Sequence, residues 1–445
     1  MTEKQFITLP VKKVFAGLAL PSIFSMVFSS IYMMSDGIFV GRFIGEHALA
    51  AVNLIMPVAM IIFALSDMIA VGSSVKVSTA LGEGNIEKAK HLFSASVLMI
   101  IGLGFVFSVL GFFFIKPLIF SLIKDKMLAE MAYSYARVFT LAFPFIMPLF
   151  AMDNFLRACG QAKYGMWLNI IVSVLNIALD WFFIAHLGLG IEFSAISSVI
   201  SMFLGVIFCF APFFTGKLTL HFSKPKISLR EVIGIIHNGA SEFFSSIAGS
   251  FIATVINVIL LNLGGAVAIA SHGIVMYIDT LLISILYGIL DSIQPAVSYN
   301  LGAKESKRMF LFFKISCVFT AALSVLCMTF ILLFPEFLVS IFSKDNNNEI
   351  INMTVIALLL FAPSYLFTWF NMVTSAFLTA MDKPKESMLI MMFRAIIFPI
   401  LCLLLLTSFM GVYGVFLTAT ISGALTAVVA LIIWVKASKK IQTAI

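Results

Sequence analysis

Charge is what this chain has least of. Only 21 of its 445 residues are acidic and 28 basic, 11% in all, while 61% are hydrophobic. Soluble domains carry about a quarter charged residues, so a supply this thin cannot coat a water-exposed fold, and a cytosolic catalytic module is excluded. Paired cysteine is lacking too. Cys159, Cys209, Cys317, Cys327 and Cys402 are scattered without a C-x-x-C pair, which excludes a disulfide framework and a zinc site. No nucleophile with its base and no metal-ligand pair stands out, so neither an enzyme nor a cofactor is expected.

What the chain has in abundance is long apolar runs, with a mean hydropathy of +1.11. They can be cut at roughly 14–40, 48–72, 93–123, 133–156, 164–187, 191–215, 232–262, 266–290, 311–335, 352–378, 389–409 and 412–435. About 20 apolar residues cross a bilayer, so the expectation is an all-α polytopic membrane protein of about twelve transmembrane helices. Sorting the basic residues by loop puts 22 of 28 on the side of the two termini; Arg42, Lys116, Lys124, Lys126, Arg137 and Lys344 fall on the other. The positive-inside rule then places both termini in the cytoplasm of a plasma (inner) membrane. That topology accounts for the net charge of +7, and no nucleic-acid partner is needed.

An internal repeat divides the spans. The loop Ser78-Thr-Ala-Leu-Gly82 after span 2 matches Ser298-Tyr-Asn-Leu-Gly302 after span 8, and Gly45 matches Gly265, both at an offset of 220. Phe155-Leu-Arg-Ala158 and Phe377-Leu-Thr-Ala380 match at 222. Two six-helix bundles, 1–216 and 231–445, joined by a polar linker at 217–230, would be related by a pseudo-two-fold along the membrane normal. Such paired bundles can rock about a central site, which points to a transporter.

A carboxylate within the bilayer costs about 2.5–3.5 kcal/mol, so each is a functional candidate. Asp36 sits roughly 6 Å inside the outer end of span 1 and Asp180 roughly 10 Å inside that of span 5, with Asn176 one turn away on the same face. Ser198 in span 6 has a similar depth. Two carboxylates in one dry pocket resist double ionisation, as a proton carrier requires. Glu242 in span 7 and Asp279 in span 8 are candidates for a cation or substrate site in the second half. Asp153 and Arg157 read as an i,i+4 ion pair, Asp67 and Asp291 as groups near the ends of spans 2 and 8, and His272 as a packed side chain. Pro21, in mid-helix, offers a hinge in span 1.

These residues carry a resemblance. Met34-Ser-Asp36-Gly-Ile-Phe-Val-Gly41, Leu81-Gly82-Glu-Gly84, Leu301-Gly302-Ala, Phe155-Leu-Arg157-Ala-Cys-Gly160 and Asn176-Ile-Ala-Leu-Asp180 resemble the multidrug and toxic compound extrusion (MATE) family, in its bacterial MepA-like and DinF-like branch, over nearly the whole chain. The resemblance implies a proton or sodium site at Asp36, Asn176, Asp180 and Ser198, with Na⁺ held by the first three, and a bend at Pro21. Ser198 stands where Thr is expected, Ala303-Lys304 replace a small-Gly pair, and span 7 lacks an early Pro. The expected function is a secondary active antiporter exporting small lipophilic cations in exchange for H⁺ or Na⁺, working as a monomer among membrane lipid. A major-facilitator transporter and a lipid-linked precursor flippase remain as alternatives. The loop Gly82-Glu-Gly-Asn-Ile-Glu-Lys-Ala-Lys departs from the major-facilitator pattern.

Overall fold

The computed structural model describes residues 1–342 and 348–444, so Lys344 lies outside the described residues. The spans are α1 Val11–Ile44, α2 Glu46–Gly82, α3 Ile86–Leu122, α4 Lys126–Ala158, α5 Ala162–His186 and α6 Glu192–Phe214 in the first lobe. The helix Leu229–Gly302 is broken at Gly265, whose φ of 59° and ψ of −150° turn the chain, giving α7 at 229–264 and α8 at 266–302. The second lobe continues with α9 Ser306–Leu333, α10 Asn348–Ala380, α11 Pro384–Met410 and α12 Val412–Lys439. The described residues thus form twelve spans in two six-helix bundles.

The backbone repeats as the sequence does. Left-handed φ angles occur at Gly45 (119°) and Gly265 (59°), Gly84 (77°) and Lys304 (59°), Gly160 (75°) and Asp382 (55°), and Gly188 (65°) and Gly411 (55°). Each pair marks the same turn in the two lobes. Lys304 and Asp382 hold a conformation that costs a side chain about 1–2 kcal/mol, where the first lobe uses glycine.

Buried hydroxyls line the helix contacts, and many donate to the carbonyl one turn back, as Ser96 does to Leu92 at 2.8 Å, Thr140 to Ala136 at 2.9 Å and Thr426 to Ser422 at 2.7 Å. That habit lets small polar residues pack where no water can reach them.

Two helices run well past their apolar runs. α2 continues from Gly72 to Gly82 and α8 to Gly302 through buried Ser73, Ser74, Ser78, Ser292, Ser298 and Asn300. Hydropathy marks contact with lipid, whereas these turns are buried in the seam between the lobes. Asp67 and Asp291 are therefore well inside their helices and not near the ends. The seam is close: a Cβ on Gly239 of α7 would collide with the carbonyl of Met68 on α2, and one on Gly288 of α8 would lie 2.9 Å from the carbonyl oxygen of Ser22, next to Pro21 on α1.

The N-terminal segment also spans the seam. Phe6 packs edge-on against Tyr299 with ring centroids 5.7 Å apart, while Gln161 donates to the Met1 carbonyl at 3.3 Å. These contacts, together with the Lys76–Asp382 ion pair at 2.5 Å, close the face of the molecule that carries the termini.

Candidate functional site

Three helices of the first lobe converge on one polar cluster. α1 runs to Ile44, beyond the end of its apolar run, so Asp36 lies deeper than the run suggests and level with Asp180 on α5 to within about a turn. Asp36 (7% exposed), Asn176 (1%), Asp180 (0%) and Ser198 (7%) are all buried. The Ser194 hydroxyl donates to Asp36 Oδ1 at 2.6 Å. The amide of Asn176, oriented to satisfy both neighbours, donates from Nδ2 to Asp180 Oδ2 at 3.2 Å and accepts from Ser198 Oγ at 3.0 Å and the Ser198 N–H at 3.2 Å. Asp180 and Asp36 approach closely enough for one proton to bridge them, and Asp180 Oδ1 is buried without a hydrogen-bond partner among the described residues.

The four residues expected here are thus brought together. Ser194 was missed, as was Ser197, which lies beside Asp180. The signal was the run Ser194-Ala-Ile-Ser-Ser198, which places two hydroxyls one turn apart on a single face. Both acid-bearing helices change pitch just beyond their carboxylates: Val40–Ile44 follows Asp36 and Trp181–His186 follows Asp180 as π-helical turns. Such insertions recur at functional sites because they re-aim neighbouring side chains without ending the helix.

The second lobe is built differently. Asp279 Oδ1 accepts the Tyr365 hydroxyl at 2.8 Å and lines a cavity of about 250 Å³. His272 lies on that cavity wall, with its ring 6.3 Å from that of Phe416. Glu242 does not line the cavity; its neighbours are Asp67 and Asp291 at the seam, with Arg394 near. Arg394, counted above among the charges of the terminal face, lies well inside α11 on the cavity wall. Asp153 and Arg157 form the expected ion pair, and Asn169 donates to the other Asp153 oxygen at 3.2 Å.

The family model described as MatE matches residues 21–182 and again residues 243–404. The chain belongs to the MATE family. It is therefore a membrane transporter and not an enzyme, and the major-facilitator alternative falls away. The MATE chain is 26% identical over 431 residues to "Multidrug export protein MepA" of Staphylococcus aureus (strain MSSA476), covering 95% of this chain and 93% of that protein. Its fold superposes with a TM-score of 0.94 on the solved structure "Crystal structure of MATE in complex with MaL6", at 22% identity over 99% of both chains. A second solved structure, "Outward-facing conformation of a multidrug resistance MATE family transporter of the MOP superfamily", gives a TM-score of 0.93 at 23% identity over 98% of both. The two matches of the family model begin 222 residues apart, the offset of the Phe155 and Phe377 motifs.

Proposed function

We propose that this MATE transporter is a secondary antiporter that exports lipophilic cationic compounds in exchange for H⁺, with Na⁺ as the alternative coupling ion, by alternating access between the lobes 1–216 and 231–445. One observation carries the reading: two buried carboxyls, Asp36 and Asp180, face each other with an Asp180 oxygen left without a partner among the described residues. Two charges cannot both persist there cheaply, so a proton or a monovalent cation belongs between them. Asn176, Ser194 and Ser198 supply the surrounding dipoles.

The seam supports the same reading. Its contacts hold the terminal face shut, as in a state open to the opposite side. With both termini in the cytoplasm of a bacterial plasma membrane, as the basic loops indicate, protons enter from outside, neutralise the pair and displace a cationic compound. Exchange follows only when each ligand favours a different lobe arrangement. Pro21 lies where α1 meets Gly288, so a bend there moves Asp36 relative to the second lobe. A one-for-one swap of proton for monocation moves no net charge, so the concentration gradient of the ion drives it.

The test is substrate-dependent proton movement in proteoliposomes, run in sodium and then in potassium. Asp36→Asn and Asp180→Asn are each expected to abolish it. Intact proton movement in Asp36→Asn would overturn the site, and substrate export that needs sodium and moves no protons would assign the coupling ion to Na⁺.

A further inference from the structure

A cavity of about 280 Å³ opens on the face that carries the termini, and both lobes wall it. Lys76 and Thr79 of α2 and Lys88 of α3 stand on one side; Arg230 and Gly234 of α7 and Asp382 beyond α10 stand on the other.

The pseudo-two-fold carries this place onto one that the chain itself fills. Thr79 and Lys88 correspond to Tyr299 and Arg308 at an offset of 220, and Asp382 corresponds to Gly160 at 222. There the N-terminal segment is seated: Phe6 lies edge-on to Tyr299, its carbonyl accepts from Arg308 Nη2 at 2.8 Å, and the Met1 carbonyl abuts Gly160. The segment ahead of α7 does not play that part. It is bound to α3, with the Phe222 and Phe93 ring centroids 4.8 Å apart and the Ser223 N–H donating to Ser94 Oγ at 2.9 Å. One socket is thus filled from within the chain, and its twin stands open to a ligand from outside.

The charges on the wall say which ligand. Asp382 is taken up by Lys76 and Asn238, and Glu231 by the Ser228 N–H at 2.8 Å and hydroxyl at 2.9 Å. Glu83 reaches Lys88 only at 3.9 Å. Arg230 has, among the described residues, no carboxylate at ion-pair distance. Just ahead of it, Lys217, Lys224 and Lys226 add charge of the same sign, and residues 217–230 contain no acid. The surplus is cationic, and paired guanidinium donors suit a phosphate. Apolar surface adjoins it: Leu229, Ile233 and Ile236, 75%, 57% and 39% exposed, form a stripe along α7 beside Arg230 and Gly234. The volume falls below the roughly 300–1,000 Å³ of pockets that enclose a drug-sized molecule, which leaves room for a headgroup with its chains outside.

We propose that the cavity binds the headgroup of an anionic phospholipid from the leaflet on that side, with the phosphate between Lys88 and Arg230 and the acyl chains along Leu229 and Ile233. Basic pockets between membrane helices take such headgroups. Lys88 belongs to one lobe and Arg230 to the other, so the bound lipid favours the arrangement with this face shut, and opening requires its release.

Native mass spectrometry of the full-length transporter, released from nanodiscs of equal phosphatidylglycerol and phosphatidylcholine, is expected to show phosphatidylglycerol retained. Lys88→Gln with Arg230→Gln should cut that preference about tenfold or more. Lys224→Gln with Lys226→Gln removes the same charge outside the cavity and should keep most of it. Equal loss in the two double variants would reduce the effect to general attraction and overturn the pocket. So would an unchanged preference in the first, read on Arg230→Gln alone should the double variant not fold. Displacement by inorganic phosphate would assign the cavity to a free phosphate compound and overturn the lipid. Phosphatidylglycerol should also slow maleimide labelling of Ser78→Cys, in a background free of the native cysteines, severalfold relative to phosphatidylcholine. It should not do so once Lys88 and Arg230 are changed; equal slowing in both would overturn the bridge between the lobes.

Discussion

Gly82 and Gly302 cross at the seam: a Cβ on Gly82 would strike the carbonyl of Tyr299, and one on Gly302 the carbonyl of Thr79. Thr79 and Tyr299 are themselves 220 residues apart, so one contact is made twice about the pseudo-two-fold. Backbone meets backbone here, and no side chain can yield.

Gly302→Ala must therefore part α2 from α8. Overpacking of this kind costs about 1–3 kcal/mol, and the cost falls only on the arrangement with the terminal face shut. The expected outcome is a shift of about tenfold or more toward the arrangement open at that face. Maleimide labelling of Ser78→Cys, buried in the seam of the wild type, would rise accordingly in a background free of the native cysteines. Equal labelling rates would show that the close approach does not set the balance.

Lys76 of α2 pairs with Asp382 beyond α10 at 2.5 Å, and Asp382 Oδ1 also accepts from Asn238 of α7 at 2.9 Å. The pair is partly exposed, so its Coulomb gain is about 1 kcal/mol or less. Asn238 is fully buried, and it loses a charged acceptor when Asp382 is changed. Asp382→Leu is thus expected to loosen the terminal face more than Lys76→Met. The exchanged pair, Lys76→Asp with Asp382→Lys, should recover the ion pair but not the Asn238 bond. Seam labelling would place it between wild type and Asp382→Leu.

The carboxyl pair Asp36 and Asp180 could be read in the sequence because a carboxylate stands out within an apolar run, and Asn176-x-x-x-Asp180 fixes its own face. Ser194 could not. Most membrane serines turn back to their own helix, as Ser197 does to Phe193 at 2.9 Å and Ser201 to Ser197 at 2.8 Å. Only the three-dimensional placement of α6 shows that Ser194 bonds across to Asp36. Arg394 was hidden for another reason. A basic residue near the edge of an apolar run looks like a loop charge, and the turns that carry α11 beyond that run do not differ in hydropathy from a loop.

Ser194→Ala removes the short hydrogen bond to Asp36 and leaves the Asn176–Ser198 bonds in place. A hydrogen bond to a charged group is worth about 1.5–3 kcal/mol, so antiport should slow by about tenfold or more, and Ser194→Thr should retain much of it. Proton movement in vesicles measures both. If Ser194→Ala matches wild type while Ser198→Ala fails, the hydroxyl that serves the pair is Ser198, and Ser194 only packs.

Arg308, at the start of α9, holds the N-terminal segment by donating from Nη2 to the carbonyls of Phe6 at 2.8 Å and Leu9 at 2.6 Å; Asn300 donates to the Phe6 carbonyl at 3.3 Å. The same segment reaches the first lobe through Met1, so it ties the lobes on the face that carries it, the one that the proposed cycle opens. Removing the tie by Arg308→Ala destabilises only the shut arrangement. The expected result is higher seam labelling at Ser78→Cys with no loss of proton coupling per transported molecule, since Asp36 and Asp180 are untouched. Truncation of residues 2–9 should do the same, because it takes away the acceptors that Arg308 uses. If Arg308→Ala raises labelling and the truncation does not, the guanidinium acts on α8 through its 3.2 Å bond to Asn300 Oδ1, and the segment is no tie.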